Sequence, residues 1–495
     1  MKTTLAKIVS KLIMNQNKTW ISNAVESQNS LLLKLLEAAK HTQFGQDHEF
    51  SKIRSHQDYI DAVPITDYEN LEPYIEKIRQ GEKNILWPGK PKYLAKTSGT
   101  TSGSKYIPIS KESLPFHIKA ARNALLSYIE NTNNADFVHG KMIFLQGSPE
   151  LEEENDIKIG RLSGIVAHYV PTYLQKNRMP SWDTNCISNW EEKVDKIVEE
   201  TIDQNLTVIG GIPPWILMYF EKLQEKTGKC ICEIFPNLQI IVTGGVNYEP
   251  YRQKMNQILG RNVDIIQTYP ASEGFIAYQD QLDQEDLLLL LNHGIFFEFI
   301  PVEEYHKSNP KRLTIGEVEL DQNYAVILTT NAGLWSYSIG DTIKFTSLDP
   351  YRIVVSGRIK HFTSAFGEHV IAQEVEKALK NTLEKFPATI SEFHIAPQVN
   401  PTEGLPYHEW FIEFQTPPEN MEAFKKELDH QIQIQNDYYF DLIDGKVLQR
   451  LKITSIAENG FNSFMKSQNK LGGQFKLPRL SNDRQIADAL KPFSL

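Results

Sequence analysis

Along the first residues of the chain, Leu5, Ile8, Val9, Leu12 and Ile13 recur at helical spacing, with Lys7 and Lys11 set among them. The pattern predicts an amphipathic first helix and not a signal peptide, whose apolar stretch would carry no lysines. Leu31-Leu32-Leu33-Lys34-Leu35-Leu36 followed by Glu37-Ala38-Ala39-Lys40 predicts another helix, built of strong helix formers. Pro64, Pro73 and Pro88 punctuate the next stretch. From residue 93 the texture changes. Lys141–Leu145, Leu206–Ile209, Leu238–Val242 and Val263–Thr268 read as buried strands, and Trp190–Ile202 and Trp215–Lys226 as helices between them. Strands separated by helices predict an α/β core.

Past residue 285 the chain reads as strand-rich: Gly294–Ile300, Gly316–Leu320 and Tyr324–Leu328 are apolar or alternating at strand length. A new unit begins near Ser356-Gly357-Arg358. It reads as a helix (Val370–Leu383), strands (Glu392–Ile395 and Glu409–Phe414), a helix (Met421–Ile434) and a strand (Val447–Ile456). The expected division is a large domain over 1–355 and a small α+β domain over 356–495.

Composition narrows the function classes. At 495 residues, 41% apolar and 23% charged, the chain is long enough for two or more cores. Its 24 Phe, 20 Tyr and 7 Trp exclude disorder as the main state. A net charge of −10 excludes a global basic field for nucleic acid. Three cysteines, Cys186, Cys230 and Cys232, form no disulfide framework and no complete zinc site, so reduced thiols in a cytoplasmic protein are expected. The run Leu287–Leu291 is far shorter than the roughly 20 apolar residues of a spanning helix. No membrane or nucleic-acid partner is expected, and the sequence sets no oligomeric state.

Three motifs carry chemistry. The first is Thr97-Ser98-Gly99-Thr100-Thr101-Ser102-Gly103-Ser104-Lys105. Glycines let backbone N–H groups approach an anion, hydroxyls donate further, and the lysine adds charge, which suits polyphosphate. The order is not that of a Walker loop. The plain alternative is a solvated Ser/Thr/Gly linker. The second is Thr268-Tyr269-Pro270-Ala271-Ser272-Glu273-Gly274, after a predicted strand. Such loops bind ligands in open α/β sheets: a tyrosine can stack on a base, and a carboxylate beside a hydroxyl suits Mg²⁺. The plain alternative is a strand-end turn. The third is Trp335-Ser336-Tyr337-Ser338-Ile339-Gly340-Asp341, whose carboxylate could accept ribose hydroxyls, or whose Gly-Asp pair is an ordinary turn.

Taken in order and followed by Gly357-Arg358, the three motifs resemble those of the adenylate-forming superfamily of acyl-activating enzymes. Within it the chain is similar to the auxin-responsive acyl acid–amido synthetase family, in a form typical of bacteria. Gly211-Ile212-Pro213-Pro214-Trp215, Thr243-Gly244-Gly245, Gly294–Phe299 and Leu471-Gly472-Gly473-Gln474-Phe475-Lys476-Leu477-Pro478-Arg479 support this. There are departures. Ser104 replaces the usual proline of the phosphate loop, and Ser338 stands where the third motif has arginine. Lys360 occupies the hinge position, which is often Asp or Lys in the superfamily.

The resemblance implies a large adenylate-forming domain of mixed sheets and packed helices, with a smaller mobile α+β domain. It implies ATP and Mg²⁺, a small carboxylic acid activated as acyl-adenylate, and transfer of the acyl group to an amino acid or amine. Ser98 to Lys105 would hold phosphates and Glu273 would position Mg²⁺. Tyr269 would cover adenine, with Ser272 beside it, and Gly244 and Gly245 would admit the nucleotide. Asp341 would hold ribose with Arg358 nearby, and Lys476 would bridge the α-phosphate and the attacking carboxylate. His168, His293 and His361 are candidate bases. Tyr169–Trp182 and Ile212–Tyr219 are expected to wall the acid pocket. An acyl-CoA synthetase on the same scaffold is the alternative. A nucleotide-binding module without turnover is a further one, against which Lys105, Glu273, Asp341 and Lys476 stand.

Overall fold

The computed structural model describes residues 2–98, 104–170, 175–187, 189–245, 248–359, 370–398, 401–444, 448–468, 477–481 and 483–495. It comprises two compact units. The first holds Met1–Tyr248, Met255–Ile339 and Ile343–Val354; the second holds Glu249–Lys254, Gly340–Thr342 and Val355–Leu495.

The first helix runs Lys2–Ile21 and packs on the helix Leu114–Thr132, where the Ser10 hydroxyl donates to the Leu126 carbonyl at 2.7 Å. Its apolar stripe is split. Ala6, Val9, Ile13 and Met14 join the core, while Leu5, Ile8 and Leu12 stay exposed. The helices His56–Ala62 and Tyr68–Arg79 start at Ser55 and Asp67, each closing a reciprocal capping box.

Strands β1 (Tyr93–Ser98), β2 (Ser104–Ile109), β4 (Glu152–Glu154) and β5 (Ile157–Gly160) form a small sheet in the order β2-β1-β5-β4. The large sheet uses β3 (Lys141–Phe144), β6 (Arg178–Met179), β7 (Leu206–Gly211), β8 (Ile240–Gly244) and β9 (Asp264–Pro270), all parallel. It continues antiparallel through β10 (Phe275–Tyr278) and β11 (Leu287–Leu289). Then come β15 (Tyr351–Arg358), β14 (Tyr337–Leu348), β13 (Asn323–Thr330) and β12 (Ile295–Pro301), completing eleven strands. Its parallel half reads as near-continuous apolar runs because helices cover both faces.

The second unit pairs β16 (Thr389–Gln398) antiparallel with β17 (Tyr407–Thr416), and β17 parallel with β18 (Lys452–Ile456). The helices Ala372–Lys385 and Met421–Gln435 supply Val375, Leu379, Phe424 and Leu428 to its core. Arg479 is held inside it by Glu376 (3.1 Å), Glu392 (3.2 Å) and the Tyr251 hydroxyl (2.9 Å).

Three expectations are corrected. Gly316–Leu320 is no strand: Ile315–Glu317 is a 3₁₀ turn, closed because Glu317 accepts from both the N–H and the hydroxyl of Thr314 at 2.8 Å. The strand expected from Val447 starts only at Lys452. The backbone before it is taken elsewhere, Leu451 N–H by the buried Asp429 carboxylate (3.0 Å) and Gln449 N–H by the Pro406 carbonyl (2.9 Å). Cys230 and Cys232 are bonded as a disulfide and are not reduced thiols; their Cα atoms lie 5.4 Å apart, within bridging range, and Gly260 closes against both sulfurs.

Candidate active site

In the first unit the parallel strands end together. Gly211 is in register with Thr243, and Gly244 with Thr268, so the glycines and the second motif share the carboxyl edge of the sheet, where open α/β sheets bind ligands. Gly244 is glycine for a local reason: a Cβ there would meet the Thr268 carbonyl oxygen at 2.4 Å. Gly245 takes φ +78°, a left-handed geometry. β9 runs to Pro270, two residues past the expected strand, and the turn to β10 closes with reciprocal Ala271 and Gly274 bonds of 3.0 and 3.2 Å. Tyr269 therefore sits in the sheet opposite Ala277 and is 8% exposed, packed in the core. Ser272 and Glu273 are half-buried at the hairpin turn.

The two ends of the first motif lie on paired strands, β1 and β2. Thr97 on β1 faces Lys105 on β2, and Ser98 faces Ser104; Gly99 to Gly103 lie outside the described residues. The Lys105 ammonium stands 5.4 Å from the centre of the Tyr68 ring. The Tyr68 hydroxyl accepts from Tyr106 N–H at 3.1 Å, fixing the ring against the hairpin. Tyr68 also acts electrostatically on Tyr337, whose hydroxyl is pushed far above the usual tyrosine range. Burial is the main cause, followed by the Glu273, Asp67 and Glu69 carboxylates. Lys105 of the first motif thus stands by Tyr68, and the Glu273 carboxylate of the second acts across space on Tyr337.

The third motif is anchored from behind by residues that no spacing rule points to. Thr66 bridges it: Thr66 N–H donates to the Ser336 carbonyl (2.9 Å) and Ser338 N–H to the Thr66 carbonyl (2.8 Å). Ser336, at φ +45°, bonds Arg312 and the Tyr59 hydroxyl. Arg312 makes a two-pronged pair with the fully buried Glu298, at 2.9 and 2.8 Å, and His56 adds a third contact at 2.8 Å. Burial alone would raise the Glu298 carboxyl; the His56 bond and the Arg312 guanidinium hold it below the ordinary range. Ser338, where the family has arginine, pairs with the Tyr305 hydroxyl at 2.7 Å.

Asp341 belongs to the second unit and is buried within β14. The Gly340-Asp341 pair is not a turn. Gly340 takes φ +83° inside the strand, and its carbonyl accepts from Ile359 N–H at 2.7 Å. The next residue, Thr342, bonds the Ser356 hydroxyl at 2.9 Å. The side chain of Arg358 and all of Lys360, His361 and Lys476 lie outside the described residues. Of the other candidate bases, His168 Nε2 lies 2.9 Å from the Pro149 carbonyl. His293 is buried, and burial pushes its imidazole down to about 4, so it is neutral at pH 7.

The donor set bears on the metal. Mg²⁺ keeps several waters and binds through one or two carboxylates plus substrate phosphates. Glu273, a half-buried carboxylate at the strand ends, fits that mode. Among the described residues no group of three or more His, Cys, Asp or Glu could hold a metal unaided. Among the described residues, too, no helix is long and apolar enough to cross a membrane.

Comparison with known proteins follows the same outline. Models of the GH3 family N-terminal, central and C-terminal domains match residues 14–186, 288–358 and 373–485. A jasmonoyl–L-amino acid synthetase, JAR4 of Nicotiana attenuata, is 23% identical over 67% of this chain and 68% of its own length. An indole-3-acetic acid-amido synthetase of Arabidopsis thaliana, GH3.10, is 23% identical over 58% of this chain and 62% of its own. A solved structure of the acyl acid amido synthetase AtGH3.15 in complex with 2,4-DB superposes with a TM-score of 0.82, at 16% identity, over 98% of this chain and 96% of that one. A 2-hydroxyisobutyryl-CoA ligase shares the fold more loosely, with a TM-score of 0.60 at 14% identity over 94% and 90%. With three successive domain models matched in order, the chain belongs to the GH3 family.

Proposed function

We propose that this chain is an ATP-dependent acyl acid–amido synthetase. A substrate carboxylate oxygen attacks the α-phosphorus of ATP, an O–P bond forms, and pyrophosphate leaves. An amine then attacks the acyl carbon, the C–N bond forms as the C–O bond to AMP breaks, and the amine loses a proton. What supports this reading is the second motif at the carboxyl edge of the parallel strands, with Lys105 standing by Tyr68 and Glu273 acting electrostatically on Tyr337. Two anions must approach in the first step, so fixed positive charge and oriented donors lower its barrier.

Thr97, Ser98 and the segment Gly99-Thr100-Thr101-Ser102-Gly103 cradle phosphates, with Lys105 supplying charge. Glu273 orients the Mg²⁺ that arrives with ATP, and bound Mg²⁺ neutralises phosphate charge. Tyr269, Ser272, Gly244 and Gly245 contact the nucleotide, Asp341 and Arg358 the ribose, and Lys476 the α-phosphate. Residues 1–355 form the large domain and 356–495 the mobile one. The acid is a small carboxylic acid and the acceptor an amino acid or amine, in the cytoplasm. Exchange of labelled pyrophosphate into ATP, dependent on an added carboxylic acid, tests the first step. Exchange lost in Glu273→Gln supports the reading, and exchange absent from the native chain with every acid tried contradicts it.

A further inference from the structure

Two histidines are buried close to the elements that carry the motifs. His117, on the helix Leu114–Thr132, is 4% exposed, and His293, in the turn between β11 and β12, is 6% exposed. Among the described residues, His117 Nδ1 and His293 Nε2 have no hydrogen-bond partner. Most buried polar atoms are paired, so an unmet one needs a reason. The two histidines are neighbours. The His293 ring stands 5.4 Å from that of Phe116, the residue before His117, and His117 acts electrostatically on His293. Asn331, 9% exposed, presses its amide on Gly294, the residue after His293: a Cβ there would meet its Nδ2 at 2.5 Å.

Hydrogen bonds hold these elements together. Asn331 N–H donates to the Gly294 carbonyl at 3.0 Å. The Ser110 hydroxyl, ahead of the helix that carries His117, donates to the Asn331 carbonyl at 2.8 Å. All three motifs adjoin them. Ser110 follows β2, the strand of Lys105, and Asn331 comes shortly before Trp335, where the third motif starts. Gly274 ends the second motif and packs on the strand after His293: a Cβ at 274 would meet Ile295 Cδ1 at 2.4 Å.

The proton pattern sets the chemistry. His293 Nδ1 lies 2.7 Å from the Asn292 side-chain oxygen, which only accepts, so Nδ1 carries the proton and Nε2 presents a bare lone pair. Burial pushes both imidazoles down to about 4, so both are neutral at pH 7. A lone pair demands a donor. A carboxylate, an ionised phosphate or a carbonyl has none. A hydroxyl has one, and its oxygen can also accept from His117 Nδ1–H.

We infer that His117 and His293, with Asn331 beside them, hold one uncharged hydroxyl group of the acyl acid, so that hydroxy acids are the preferred class. That the hydroxyl belongs to the acid rests on the proposed ligase reaction; the pair's demand for a hydroxyl does not. An aliphatic alcohol and a phenol share this chemistry.

The test uses the full chain. Hydroxyhexanoic acids are titrated calorimetrically against hexanoic acid, and hydroxybenzoic acids against benzoic acid, with the hydroxyl moved along each series. Acid-dependent pyrophosphate exchange is measured with the same acids. One hydroxy acid should bind, or support exchange, at least about tenfold better than its parent. His293→Leu should erase that preference and leave the parent acid within about twofold, which general damage would not do. The series that shows the preference assigns an alcohol or a phenol. If His293→Leu does not fold, His117→Met is read in its place; failure of both to fold would make the pair structural and end the inference. A hydroxyl preference in binding, with no exchange on any acid, removes the ligase reading and leaves the site. No tenfold preference in either series, as a water trapped on the pair would give, or a preference that survives the folded variants, overturns the inference.

Discussion

Glu298 and Glu273 act on neighbouring residues of one segment, and their circumstances are opposite. Glu298 is fully buried behind Ser336, with both oxygens engaged by Arg312 and one by His56. Glu273 is half-buried at a hairpin turn and acts across space on Tyr337. The first carboxylate is committed to architecture: it fixes a left-handed Ser336 and so aims the segment. The second lies half-buried at a turn, and the proposed function gives it the Mg²⁺ that arrives with ATP. The contrast separates the residues whose loss should unfold the protein from those whose loss should silence it.

The largest effect should come from breaking the buried pair. Arg312→Met leaves Glu298 charged in the interior and should cost about 3–5 kcal/mol of stability, read by urea unfolding. A loss below about 1 kcal/mol would put Glu298 on the functional side of the comparison. Next is pH. His117 and His293 are buried, and burial pushes each down to about 4. Between pH 6.5 and 4 the unfolded chain binds protons that the native state does not, so stability falls as pH drops through that window. By pH 5 each histidine should remove about 2 kcal/mol. His117→Asn should flatten the pH dependence, and an unchanged slope would place the histidine in a wetter setting.

On the chemical side, Lys105→Met should lower acid-dependent pyrophosphate exchange by roughly ten- to a hundredfold, equivalent to about 1.5–3 kcal/mol. Its unfolding free energy should move by less than about 0.5 kcal/mol. Loss of stability equal to the loss of exchange would make Lys105 another Glu298. The smallest effect should come from Tyr305→Phe. It removes one half-buried bond to Ser338 and should cost about 1 kcal/mol or less in stability, with the KM for ATP unchanged.

What the sequence disclosed follows the same division. Period-two and apolar runs located β3, β7, β8, β9 and β13, most fully where a strand is buried along its length, as in β7 and β13. The strand at Gly316–Leu320 failed because a local Thr314–Glu317 cap outcompeted its pattern. Lys105, Glu273 and Asp341 stand out in the sequence because their neighbours are glycines and hydroxyls with few structural uses. Glu298, Arg312, His56 and Thr66 were not legible as a set. They are separated by tens to hundreds of residues, and only the fold brings them together. The disulfide was missed for a similar reason: C-x-C has no framework signature, and Gly260, which closes on it, is remote in sequence.

The most direct test of the account is to identify products. The full chain is incubated with MgATP, a panel of carboxylic acids that includes dicarboxylates, and either amino acids or CoA, and the mixture is read by mass spectrometry. The account predicts an acyl–amino acid conjugate with AMP and pyrophosphate formed in equal amounts. An acyl-CoA thioester as the sole acyl product, or ADP with phosphate in place of AMP with pyrophosphate, would contradict it.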